Sequence, residues 1–221
     1  MIEARDLHYR YPDGGFQLQL PLWHVQRGSR VLVVGPSGSG KTTLLGLLAG
    51  VLPVSSGKLR VGSEQLDQCT DAQRRTMRIS SVGQVFQDLE LVKYLTVKEN
   101  ILLPYFINRR FQLTPEAERR AEELAEKSQI SSQLDRPVDR LSRGEQQRVA
   151  VCRALVVQPA LVLADEPTAS LDGATGGQLL EMLFESCRQT GATLVMVSHQ
   201  ESLASECDQL LDLSALPIGE E

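Results

Sequence analysis

The chain is poor in the residues on which several common chemistries depend. Its four cysteines, Cys69, Cys152, Cys187 and Cys207, are scattered, form no C-x-x-C pair and have no histidine beside them. That spacing argues against a zinc site or a disulfide framework and suits reduced thiols. Cys152, in an apolar helical run, reads as a small core residue. Basic residues are the minority: 23 Lys and Arg face 28 Asp and Glu, a formal net charge of −5. Neutralising a phosphate backbone needs the opposite balance, so no nucleic-acid partner is expected. No apolar run approaches the about eighteen residues that a membrane span requires. The opening Met1-Ile2-Glu3-Ala4-Arg5-Asp6 carries acids where a signal peptide carries bases. The expectation is a cytoplasmic chain that reaches a membrane only through a partner. Internal repeats and low-complexity tracts are lacking as well.

With 42% hydrophobic residues in a chain of 221, there is enough apolar material for one domain, or a domain with a subdomain. Leu7–Tyr11 and Phe16–Leu20 read as strands around the turn Pro12-Asp13-Gly14-Gly15, the second alternating apolar and polar. Lys58–Gly62 and Val82–Phe86 read as further strands. From about residue 88 to 158 the chain turns almost wholly helical. Thr114-Pro115-Glu116 is a helix start, Ala117–Lys127 has the mixed charge of a solvated face, and another helix runs from about Gly144 to stop before Pro159. Leu161–Ala164 and Thr193–Val197 are continuous apolar runs, as in strands buried on both faces. Between them, Gln178–Arg188 has helical spacing and Gly191 as its stop. The pattern is that of an α/β protein.

The chemistry concentrates at Gly35-Pro36-Ser37-Gly38-Ser39-Gly40-Lys41-Thr42-Thr43, between the apolar run Val31–Val34 and a leucine-rich stretch. Strand, glycine-rich turn and helix are the context a phosphate-binding loop requires. The glycines let backbone N–H groups turn inward as an anion nest, and the helix aims its positive end at the same point. Lys41 is then the residue to reach the β- and γ-phosphates, and Thr42 the one to offer a hydroxyl to Mg²⁺. Asp165-Glu166 ends the apolar strand Leu161–Ala164, where ligands of parallel α/β sheets collect. Asp165 would hold the Mg²⁺ shell and Glu166 would polarise the attacking water.

Leu141-Ser142-Arg143-Gly144-Glu145-Gln146-Gln147 resembles the signature motif of ATP-binding cassette (ABC) ATPases, usually written L-S-G-G-Q. The other markers of that family follow in order. Tyr11 resembles the adenine-stacking aromatic, and Gln87 the glutamine that touches Mg²⁺ and faces the transport partner. The segment Ala169-Ser170-Leu171-Asp172 resembles the one that crosses the dimer interface, and His199 the histidine that contacts the γ-phosphate. The resemblance covers nearly the whole chain. It implies a P-loop ABC cassette with a mixed β core, an antiparallel β subdomain and a helical subdomain at about 88–158, residues 1–87 and 159–221 forming the nucleotide-binding core. It also implies catalytic roles for Glu166, His199 and Lys41, nucleotide contacts from Ser142, Gly144, Glu145 and Asp172, and metal contacts from Thr42, Gln87 and Asp165.

On the same resemblance, Ser142 closes over ATP held by a second copy, so an ATP-dependent homodimer is expected. Two positions depart from the motif: Arg143 replaces a glycine and Glu145 a glutamine. Arg143 either adds a cation near the partner's γ-phosphate or points to solvent. The stretches around Gln87 and Asp165 are similar to the branch of lipoprotein-release, macrolide-export and cell-division ATPases, which serve integral membrane permease-type partners. Either Gln87, Leu89 and Tyr94 line a groove for such a partner, or Leu89, Leu91 and Leu95 simply pack the subdomain. A soluble or regulatory ABC ATPase, in DNA repair, translation or as an ATP switch, is the alternative.

Overall fold

The computed structural model describes residues 1–108 and 111–215. In chain order come β1 (Ile2–Arg10), β2 (Gln17–Val25), β3 (Arg30–Val34), α1 (Lys41–Leu48), β4 (Ser56–Val61), β5 (Glu64–Gln65), α2 (Asp71–Ser81) and β6 (Val82–Val85). They are followed by α3 (Val97–Ile107), α4 (Pro115–Lys127), α5 (Arg143–Leu155), β7 (Leu161–Asp165), α6 (Gly173–Thr190), β8 (Thr193–Val197) and β9 (Gln209–Asp212). Two compact units result: Met1–Arg78 together with the stretch from Thr193 onward, and Ile79–Ala192.

The first unit holds two kinds of sheet. An antiparallel sheet runs in the order β2-β1-β4-β5. Its inward set, Ile2, Ala4, Leu7 and Tyr9 on β1, faces Leu18, Leu20, Trp23 and Val25 on β2, all buried. The step from Ala4 to Leu7 breaks the two-residue period where the β1–β4 register shifts between Arg5 and His8, with Asp6 at φ 46°. An extra residue of this kind is how a bulged strand returns its apolar side chains to the core. Strands β8, β3 and β9 are parallel, with Val31 opposite Val195 and Val34 opposite Asp212. Val31, Leu32 and Val33 have no exposed surface, as their unbroken apolar sequence predicts.

The second unit pairs β6 with β7 in parallel, Val82 opposite Leu161 and Val85 opposite Ala164. Its helices start on side-chain caps. Thr96 and Ser142 form capping boxes with Glu99 and Glu145, Thr114 caps α4 with Pro115 in the first turn, and Asp172 caps α6. The α6 helix begins five residues earlier than Gln178, because the Asp172 cap outweighs the poor helix propensity of Gly173, Gly176 and Gly177. Helix α2 carries a polar sequence in which Met77 alone is buried, so apolar spacing did not announce it. Among the described residues, no helix is long and apolar enough to cross a membrane.

Asn100, fully buried on α3, accepts from Val92 N (2.8 Å) and donates to Val92 O and Thr96 O (both 3.0 Å). Asn100→Ala would orphan these backbone groups and is expected to cost about 2–3 kcal/mol. Denaturant unfolding against the wild type measures it.

Candidate nucleotide site

In the first unit the phosphate loop leaves the end of β3 and enters α1. Gly40 sits at the N-cap in the left-handed region, φ 95°, and α1 has neither a side-chain cap nor an acid in its first turn. A Cβ at Gly40 would collide with the Phe16 ring, so both conformation and space demand glycine. The N–H groups that other helices satisfy with Thr, Ser or Asp are left for another acceptor, and the helix dipole favours an anion there.

The Lys41 ammonium folds over the loop, donating to Gly35 O (2.7 Å) and Pro36 O (2.9 Å). The Ser39 hydroxyl is buried and has no hydrogen-bond partner among the described residues. A triphosphate would give that orphaned group an acceptor, so the loop fits the nucleotide expected of it. Tyr11 is exposed over 36% of its surface; its hydroxyl lies 3.2 Å from Thr43 Oγ1 and its ring stands edge-on to Tyr9. His199 follows β8 on an exposed turn in which Gln200 N donates to Ser198 Oγ (3.1 Å).

In the second unit Asp165 ends β7 at 8% exposure, and Glu166 turns the chain with φ 49°. A left-handed non-glycine residue is strained and needs its surroundings to hold it. Gln147, buried on α5, supplies the support: its Nε2 donates to Glu166 O (2.9 Å) and its Oε1 accepts from Ser170 N (3.2 Å). Sequence reading noted Gln147 only as part of the motif. A glutamine with apolar neighbours at helical spacing (Ala150, Val151) is the signal the sequence offers.

The Ser142 hydroxyl donates to Glu145 Oε2 (2.8 Å), which also accepts from Ser142 N (2.8 Å). These bonds hold the Glu145 carboxyl below its ordinary pKa of 4.5. Gly144 lies so close to Leu171 that a Cβ would meet its Cδ2 at 2.8 Å. Arg143 is exposed, and its Nη2 donates to Gln87 O (3.1 Å). Leu89 is 2% exposed and belongs to the core, whereas Tyr94 is 86% exposed. Asp172 is occupied in capping α6, accepting from Thr175 N (3.0 Å).

No cluster of three or more His, Cys, Asp or Glu side chains suited to a metal occurs among the described residues. The expected donors are a carboxylate (Asp165), a hydroxyl (Thr42) and an amide (Gln87). Thr42 belongs to the first unit and Asp165 and Gln87 to the second; each offers an oxygen, the donor type that Mg²⁺ takes.

A loop of this geometry behind a parallel strand defines a P-loop nucleotide-binding α/β protein. The ABC transporter family matches residues 19–169, and the chain belongs to that family. It is 40% identical over 197 residues, 89% of this chain and 86% of the relative, to YbbA of Escherichia coli (strain K12), an uncharacterized ABC transporter ATP-binding protein. It is 36% identical over 189 residues, 85% of this chain and 82% of the relative, to the lipoprotein-releasing system ATP-binding protein LolD 1 of Rhodopseudomonas palustris (strain ATCC BAA-98 / CGA009). The ATP-binding cassette MJ0796, in a dimeric post-hydrolysis state bound to ADP and Pi, superposes with a TM-score of 0.87. That match has 28% identity and covers 96% of this chain and 94% of the other. The fold is thus the ABC cassette, and the chain is an ATP-binding subunit of the ABC transporter class.

Two outcomes follow from the second unit's contacts. Gln147→Ala should lower kcat about 10-fold or more, with KM for ATP nearly unchanged, because it frees the Glu166 turn rather than a nucleotide contact. Steady-state ATPase kinetics separate the two constants. For Glu145 the folded-state pKa is depressed, so its stabilisation is present above the unfolded value and is lost as pH falls through the folded one. The melting-temperature gap between wild type and Glu145→Ala should therefore narrow below about pH 4.5.

Proposed function

We propose that this subunit hydrolyses ATP to ADP and phosphate in a homodimer that closes on two nucleotides and reopens after turnover, driving an integral membrane permease-type partner. The observation that carries the reading is the phosphate loop. An uncapped helix N-terminus, a lysine folded over the loop and a buried serine hydroxyl without a partner together await an anion. Lys41 and the loop residues Gly35, Pro36, Ser37, Gly38, Ser39, Gly40, Thr42 and Thr43 bind the phosphates, and Tyr11 flanks the base. Asp165, Thr42 and Gln87 hold Mg²⁺, which neutralises charge on the phosphate oxygens when bound. Glu166 orients and polarises the attacking water, and His199 donates to the γ-phosphate. Ser142, Gly144, Glu145 and Asp172 serve the nucleotide of the other copy.

In this reading residues 88–158 form the helical subdomain, and 1–87 with 159–221 the nucleotide-binding core with its β subdomain. The dimeric state of MJ0796 with ADP and Pi supports hydrolysis between two copies. The lipoprotein-releasing system relative supports a membrane partner; in this reading the partner is of the export, lipoprotein-release or mechanotransmission type and is worked from the cytoplasmic face.

Size-exclusion chromatography tests the reading. Glu166→Gln with Mg-ATP should elute as a dimer and, without nucleotide, as a monomer. The second substitution Lys41→Ala should abolish the shift, and Lys41→Ala alone should lower turnover about 10²-fold or more. A Glu166→Gln chain that stays monomeric at saturating Mg-ATP would overturn it.

A further inference from the structure

The segment joining β6 to α3 has no regular structure, yet side chains hold its backbone almost throughout. Asn100 ties Val92 and Thr96, as described above. Near the C-terminus of α5, the buried Arg153 donates to Leu89 O (2.6 Å) and Glu90 O (2.5 Å). Leu89 and Glu90 are successive non-glycine residues in the left-handed region, φ 62° and 47°. Such a pair persists only where its surroundings over-determine it, and the guanidinium supplies that constraint.

At the opposite end of α5, Arg143 donates to Gln87 O (3.1 Å). The helix therefore grips both halves of the Gln87–Glu90 turn. The two grips differ in kind. Arg153 is 8% exposed and integral to the core, whereas Arg143 is exposed and touches the turn through one bond. A glycine, which the signature usually carries at this position, has no atom with which to make that bond.

We propose that Arg143 is a positioning residue for Gln87, fixing the start of this turn to the helix end that carries Ser142, so that the serine and the glutamine move as one piece. The catalytic consequence rests on the ATPase reading above; the mechanical link does not. With Arg143 removed, Arg153 still fixes the Leu89 and Glu90 carbonyls, and the freedom gained is confined to the stretch from Gln87 to the Leu89 amide.

Hydrogen–deuterium exchange and steady-state kinetics on wild type, Arg143→Ala and Arg143→Lys test the proposal together. The Leu89 amide bonds to Phe86 O (3.0 Å) and closes the turn over Gln87, so it is the reporter. In Arg143→Ala its exchange should rise about threefold or more while α5 amides and the melting temperature hold, since the lost bond is on the surface. In the same variant kcat should fall about 3–10-fold with KM for ATP within about twofold, the pattern of a displaced catalytic group rather than a lost binding contact. Arg143→Lys, which can still donate to a carbonyl, should recover most of both effects. Unchanged Leu89 exchange overturns the link. Faster exchange with unchanged kcat overturns the positioning role, as does a fall in kcat that Arg143→Lys does not relieve. A wild-type chain that binds ATP and never turns it over instead refutes the ATPase reading and the catalytic half of the proposal, leaving the exchange result to judge the link.

Discussion

Backbone carbonyls at sharp turns must find donors, and in the second unit one helix supplies most of them. Helix α5 sends Gln147 to Glu166 O, Arg153 to Leu89 O and Glu90 O, and Arg143 to Gln87 O. Each of these turns contains a non-glycine residue with positive φ, a conformation that relaxes unless held. Burial makes the arrangement strict for Gln147 and Arg153, at 3% and 8% exposure, because an unmade bond there would leave a polar group without water. Displacing α5 would therefore disturb both Glu166, which follows β7, and the segment that follows β6.

The first unit works by the opposite device. Its phosphate loop is built by leaving groups unsatisfied: the first turn of α1 has no side-chain cap, and the Ser39 hydroxyl has no partner among the described residues. Lys41 meanwhile bonds to the loop's own carbonyls, Gly35 O and Pro36 O. An anion entering the loop gains the donors at once and must draw the lysine from those carbonyls. Binding thus exchanges one set of hydrogen bonds for a stronger, charge-assisted set.

Much of this was legible in the residues themselves. The glycine spacing before Lys41, the apolar runs of β7 and β8, and the Thr114-Pro115 helix start each act through local chemistry, so sequence alone carries them. What escaped was whatever depends on partners distant in the chain. Helix α2 has too polar a face to show apolar spacing, and the edge strand β9 is defined by pairing with the distant β3, Val31 opposite Gln209. Arg143 illustrates the same limit. A sequence shows a cation where a glycine is usual, but only the fold shows that the cation reaches a carbonyl 56 residues earlier.

The cap on α5 also sets how freely Ser142 can donate to anything else. In the resting chain the Ser142 proton is already committed to a carboxylate. Any anion approaching Ser142 Oγ would compete with Glu145 for a single hydrogen, as a second negative charge beside the first. The Ser142 hydroxyl is therefore a weak donor to any further anion, because its one proton already serves the helix cap.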